Sequence, residues 1–319
     1  MPETRAPTPV VALAGGVGAA RFLRGLVRAV PAEQVTAVVN TGDDRVFYGV
    51  CVSPDLDIVT YTLAGRVDPE RGFGLAGDGF AAVDALAAFG HETWFRLGDR
   101  DLATCLHRTI RLREGVGLAR ATEEIRRALG VATRILPMSE DPCPTVVELS
   151  GGRRLHFEEY LVRDGAPSDV EAVDLAAARR ARPAPGVCEA LRGARTIVLC
   201  PSNPVVSIGP ILAVPGVREA IAASGAPVVA ISPIVGGAPV KGPADHLLRG
   251  TGAEVSARGV ARLYRDLAQG FVLDLRDAEL LAEVEALGLR ALAVDTIMRD
   301  AAASEALARA VLGLADELR

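Results

Sequence analysis

Five consecutive apolar residues, Val10–Ala14, open the readable pattern of the chain, and Gly15, Gly16 and Gly18 follow them at once. A run that short and uniform predicts a strand buried on both faces. Beyond the glycines the period changes, with Phe22, Leu23, Leu26, Val27 and Val30 recurring on one face of a helix. Short apolar runs and helical stretches keep alternating: strands are expected at Val35–Val39, Trp94–Leu97, Thr196–Leu199, Pro227–Ile231, Phe271–Leu275 and Ala291–Val294. An amphipathic helix over 300–318 closes the chain. This rhythm predicts an α/β fold, doubly wound around a mostly parallel, Rossmann-like sheet.

The rhythm breaks between residues 115 and 183. A helical pattern at Leu118–Leu129 is followed by two alternating runs, Thr145–Leu149 and Leu155–Leu161, on either side of Ser150-Gly151-Gly152-Arg153, the signature of a β-hairpin. The expected organisation is a flexible arm at 1–9, a nucleotide-binding core from 10–114 and 184–319, and an inserted helix-plus-hairpin cap at 115–183. His156, in the second run, reads as a packed or solvated histidine rather than a catalytic one.

Chemistry collects in the loops after the strands, where open α/β sheets bind ligands. A strand, a glycine loop and a helix N-terminus can bring backbone N–H groups to a phosphate, although no complete dinucleotide fingerprint or Walker loop is present. The next strand ends in Asn40-Thr41-Gly42-Asp43-Asp44. Ser53 and Pro54 then mark a helix start, with Gly65 at its end and Asp55 and Asp57 in its first turn. Acids there can simply favour the helix dipole. Asp57, turned back towards Asp43 and Asp44, would instead complete a set of carboxylates suited to magnesium. Asp99-Arg100-Asp101 reads either as a cap with a surface ion pair or as a ligand-facing loop. Ser202-Asn203, bracketed by prolines, can face a nucleotide, and Lys241 can neutralise phosphate.

Composition narrows the classes. The 319 residues are half apolar, enough for a large core, and the net charge of −5 without a long basic tract speaks against nucleic-acid binding. No apolar run is long enough for a membrane span. Five scattered cysteines without a Cys-x-x-Cys pair predict neither disulfides nor a zinc site and fit a reducing cytoplasm.

Taken in order, the loops Gly15-Gly16-Val17-Gly18, Asn40–Asp44, Ser53–Asp57, Leu97–Thr104, Pro137-Met138-Ser139, Pro201–Pro204, Ser207–Leu212 and Ser232–Gly237 resemble those of the 2-phospho-L-lactate transferases, the CofD/FbiA family of deazaflavin coenzyme F(420) biosynthesis. The resemblance covers about Val10 to Leu248. It implies transfer of 2-phospho-L-lactate or phosphoenolpyruvate from a guanosine diphosphate-linked donor to the ribityl hydroxyl of the deazaflavin Fo, with release of GMP and with magnesium, in a cytoplasmic homodimer. By the same resemblance Gly15, Gly16, Gly18, Ser202, Asn203 and Lys241 would hold the nucleotide and diphosphate. Asp43, Asp44 and Asp57 would be catalytic and metal-binding, and Asp99, Arg100, Met138 and Ser139 would border Fo. Cys105 and Cys200 depart from the family pattern, as do Ala238 and His246. The competing readings are a regulatory module of similar fold that binds nucleotide sugars, and a nicotinamide-dependent oxidoreductase, which the incomplete fingerprint disfavours.

Overall fold

A computed structural model describes residues 9–319; the arm expected at 1–9 lies, apart from Pro9, outside the described residues. The chain runs through β1 (Val10–Ala14), α1 (Gly16–Ala29), β2 (Val35–Val39), a hairpin of β3 (Arg45–Phe47) and β4 (Val50–Val52), α2 (Pro54–Leu63), α3 (Ala81–Ala88), α4 (Asp99–Arg113), α5 (Leu118–Ala128) and β5 (Arg134–Pro137). There follow β6 (Val146–Leu149), β7 (Arg153–His156), β8 (Val170–Asp174), β9 (Thr196–Leu199), β10 (Val228–Ile231), a small hairpin of β11 (Ile234–Val235) and β12 (Ala238–Pro239), β13 (Gly270–Asp274) and β14 (Arg290–Val294), with helices between and a final helix Ala301–Glu317.

Seven strands form one parallel sheet in the order β14-β13-β10-β9-β1-β2-β5. Alternate side chains of β1 enter opposite layers: Val11 and Leu13 pack with Ile197, Leu199 and Ile211, while Val10, Ala12 and Ala14 pack with Phe22, Leu23 and Leu307. Burial on both faces is why β1 reads as an unbroken apolar run. From β1 the chain winds outward through β2 and β5, then returns to β9 and winds the other way. The order therefore reverses between β1 and β9, the switch point where such sheets open a crevice.

Three local expectations are corrected. Trp94–Leu97 forms no strand; Phe95 stacks on Phe47 with centroids 4.0 Å apart and Trp94 meets Phe47 edge-on at 5.2 Å, so aromatic packing rather than ladder pairing fixes the segment. The run Leu155–Leu161 is a strand only to His156, and Glu159–Arg163 turns into a helical segment. Phe157, Tyr160 and Leu161 have helical spacing and pack together with Val147 and Leu149 of the cap. Finally, α5 and β5, expected within the cap, extend the central sheet, because β5 pairs with β2 as its edge strand; Ile135-Leu136 is too short an apolar run to announce itself. The cap sheet is three-stranded, in the order β7-β6-β8.

Candidate active site

Above the switch point lies a cavity of about 730 Å³, within the range of small-molecule sites. Its floor is formed by the loops after β1 and β9, with contributions from the ends of β2, β10 and β14, and its walls by α2, the 71–80 loop, the Trp94–Gly98 segment and the cap.

The glycine loop is built for close packing. A Cβ on Gly15 would lie 2.7 Å from Cβ of Ser207 and 2.9 Å from Oδ2 of Asp55, and one on Gly18 would collide with the carbonyl oxygen of Pro201. Gly16 takes φ +69, a left-handed conformation that favours glycine. Its N–H is already engaged, donating to Oδ1 of Asp55 at 2.7 Å. Ser202 fastens the second loop to the first by donating its hydroxyl to the carbonyl of Gly15 at 2.8 Å. Asn203 lines the cavity, but its side-chain oxygen accepts the N–H of Val205 at 2.9 Å and so shapes its own loop.

Carboxylates gather beside this loop. Asn40 donates to Oδ2 of Asp55 at 3.0 Å, joining the end of β2 to the start of α2. Asp43 and Asp57 line the cavity, and Asp44 lies beside them with Oδ2 accepting the hydroxyl of Ser53 at 2.7 Å. Ser53 thus occupies the expected N-cap position but spends its hydroxyl on Asp44 instead of the helix. Asp57 is ion-paired with the fully buried Arg108 of α4. Burial chiefly, with neighbouring carboxylates, holds Asp43 and Asp44 well above the usual carboxylate range. Burial also raises Asp57, against the opposing pull of Arg108.

One oxygen of each of these three aspartates, Oδ1 of Asp43, Oδ1 of Asp44 and Oδ2 of Asp57, is buried without a hydrogen-bond partner. Unpartnered buried carboxylate oxygens are costly, and a hard divalent cation satisfies them. The three oxygens are available to a cation, but they are not drawn within 4.8 Å of one another. Among the described residues the group that is so drawn together is Asp57, Asp101 and Cys105, one ligand atom from each, and it could hold a metal ion. Burial pushes the Cys105 thiol up, however, and Sγ lies 3.8 Å from Nη1 of Arg108, which suits a hard cation less well.

Four residues expected near Fo are not brought to the cavity. Asp99 caps α3, accepting the N–H groups of Ala81 at 3.0 Å and Ala82 at 2.9 Å. Arg100 points to the carbonyl of Ala76 and to Asp78 on an exposed face. Met138 is fully buried in the core beneath the sheet. Ser139 donates its hydroxyl to the carbonyl of Arg182 at 2.7 Å. Each satisfies a local backbone or packing need, and none lines the cavity.

Asp101, read from sequence only as part of the Asp99-Arg100-Asp101 trio, and other residues not singled out there do reach the site. Asp101 accepts the hydroxyl of Tyr61 at 2.7 Å, and burial with the charge of Asp57 pushes it up to about 7. Glu158 of the cap is buried in the wall, pushed up to about 8 by burial and then by Asp55. Phe73, Phe80, Trp94, Phe95 and Phe157 form an aromatic wall. Two signals pointed there: Arg108 falls on the same face of α4 as Asp101 and Cys105, an unusual place for a cation, and Trp94 is the only tryptophan of the chain.

The family whose sequence profile is described as 2-phospho-L-lactate transferase CofD matches residues 10–311. The chain belongs to this family. A protein of Streptomyces griseus subsp. griseus named phosphoenolpyruvate transferase is 48% identical over 97% of this chain and 99% of its own length. A protein of Methanosarcina acetivorans named 2-phospho-L-lactate transferase is 39% identical over 96% of this chain and 99% of its own. A solved structure from Bacillus halodurans, described as a member of the upf0052 family, superposes with a TM-score of 0.66 at 20% identity, covering 97% of this chain and 99% of that one; this likeness speaks for the fold. The CofD-family chain is a phosphotransferase of that type. None of its helices, among the described residues, is long and apolar enough to cross a membrane.

Proposed function

We propose that this chain transfers a phosphoenolpyruvyl group from a guanosine diphosphate-linked donor to the ribityl hydroxyl of the deazaflavin Fo, releasing GMP. The observation that carries the reading is one cavity that joins the glycine loop, the unpartnered oxygens of Asp43 and Asp57, and an aromatic wall. The choice of phosphoenolpyruvyl over lactyl rests on the relatives that share nearly half of their residues with it, which carry that name.

The aromatic wall suits a flat ring system, leaving a polar chain to reach towards the aspartates. The acceptor hydroxyl attacks the phosphorus that bears the acid; the new P–O bond forms as the bond to the GMP oxygen breaks, and the hydroxyl proton leaves with the GMP phosphate. Asp43 orients the hydroxyl by accepting its hydrogen bond, a contribution of positioning. Asp43, Asp44 and Asp57 would hold magnesium, which when bound offsets the charge of the diphosphate. The cap, by closing the wall with Phe157 and Glu158, limits access of water that would compete with the acceptor. A cytoplasmic homodimer belongs to the same proposal.

Purified protein incubated with Fo, magnesium and the enolpyruvyl and lactyl donors in competition gives the test. The expected product, read by mass spectrometry, is the enolpyruvyl-phospho adduct of Fo with one GMP per adduct. A predominant lactyl adduct would overturn the donor assignment, and no adduct from either would overturn the transferase reading.

A further inference from the structure

The cavity also holds two cations that no carboxylate neutralises. Arg21 projects from α1 one turn beyond the glycine loop, and Lys241 projects from the loop before the helix Ala244–Gly250; both line the cavity. Lys241 donates to the carbonyl of Arg71 at 2.8 Å. A Cβ on the next residue, Gly72, would lie 3.7 Å from Nη2 of Arg21. The strand of loop at 71–72 thus brings the guanidinium and the ammonium to one side of the cavity. The proximity is electrostatically felt: burial and then the charge of Arg21 lower the pKa of Lys241. Among the described residues neither side chain has an acidic partner within ion-pairing distance, whereas the other arginines of the cavity wall do: Arg71 with Asp68, Arg96 with Asp84 and Arg299 with Asp295. Two like charges held together without a counter-ion are unfavourable until an anion arrives.

We propose that Arg21 and Lys241 together bind the carboxylate of the three-carbon acid carried by the donor. The proposal rests on the transferase reading above for the identity of that acid. The transferase reading places the diphosphate at the glycine loop; Lys241, expected from the family resemblance to help hold it, is assigned to the acid instead. Arg21 lies five residues along the helix from Gly16, roughly 7.5 Å at 1.5 Å per residue, a displacement that fits a group attached beyond the second phosphate. A guanidinium offers paired donors to a carboxylate, and the ammonium adds a compact charge. The pair would therefore distinguish the donor from GDP, which has both phosphates but no carboxylate.

Calorimetric titration without acceptor reads this directly and needs no turnover. Wild type, Arg21→Met, Arg21→Lys and Lys241→Met are each titrated with the enolpyruvyl donor and with GDP, after thermal unfolding confirms that each is folded. The expected result is a tenfold or greater weakening of donor binding in the two methionine variants, GDP affinity within about twofold of wild type, and partial recovery in Arg21→Lys. Parallel weakening of donor and GDP would assign the pair to the diphosphate and overturn the proposal. Unchanged binding of both would overturn it as well. Failure of the transferase reading appears separately, as absence of an Fo adduct with wild-type enzyme.

Discussion

Oδ1 of Asp55 accepts the backbone N–H of Gly16 at 2.7 Å. This single bond sets a carboxylate at the N-terminus of α1 and ties the loop after β1 to the first turn of α2. Both oxygens of Asp55 are used, the other by Asn40. Asp55→Asn presents an amide N–H to one of two donors. It is expected to cost about 1–3 kcal/mol of stability, measured by urea unfolding, and to reduce transfer by misplacing the glycine loop. Unchanged stability would show that the bond is dispensable.

Asp43 is held in a crowded acidic setting by burial and by Asp55 and Glu158. Replacing it with asparagine removes a buried, repelled charge. Asp43→Asn is expected to lose nearly all transfer activity while melting at a temperature equal to or above that of the metal-free wild type, an instance of stability given up for function. Near-normal turnover would remove Asp43 from the reaction.

Arg108 is fully buried and paired with Asp57. Arg108→Met strands Asp57 as a lone buried carboxylate and is expected to destabilise by about 3–5 kcal/mol. Adding Asp57→Asn should restore much of that stability, because the stranded charge is gone. A double-mutant cycle in chemical denaturation decides it, and additive effects would refute a direct pair.

Asp55, Asp101 and Glu158 are raised to about 6, 7 and 8 from ordinary values of 3.8, 3.8 and 4.5. Each holds its proton more firmly folded than unfolded. Their contribution to stability is therefore complete below the unfolded values and is lost as pH rises through 6 to 8, with a limiting slope of about 1.4 kcal/mol per pH unit for each group. The melting temperature of the metal-free protein is expected to fall from about pH 4 to about pH 8 and to level off above it, and Glu158→Gln to flatten the upper part of that fall. A melting temperature that rises over the window would contradict this account.

Gly18→Ala places a methyl group against the carbonyl oxygen of Pro201, a rigid backbone neighbour. The expected cost is about 1–3 kcal/mol, with weakened GDP binding in the same variant because both loops of the crevice must shift. Gly74→Ala, at φ +69 but with open space around its Cβ, should show only the conformational strain and leave GDP binding unchanged.

The sequence by itself determined the parallel sheet and most of its strands, because residues such as Val10–Ala14 and Val35–Val39 are buried on both faces and must be apolar throughout. It also placed the glycines, Asp43, Asp44 and Ser202 at the carboxyl edge of the sheet, because each closely follows one of its strands. Only the tertiary structure decided what each side chain does there. Asp99 and Asp101 are two residues apart on α4, yet one caps α3 and the other faces Tyr61 beside the cavity. Arg108 finds Asp57 across 51 residues, and Lys241 finds the carbonyl of Arg71 across 170. Spacing along the chain reports the period of local structure, whereas partners that meet across the crevice are selected by how the helices and the cap pack, and no local pattern encodes that choice.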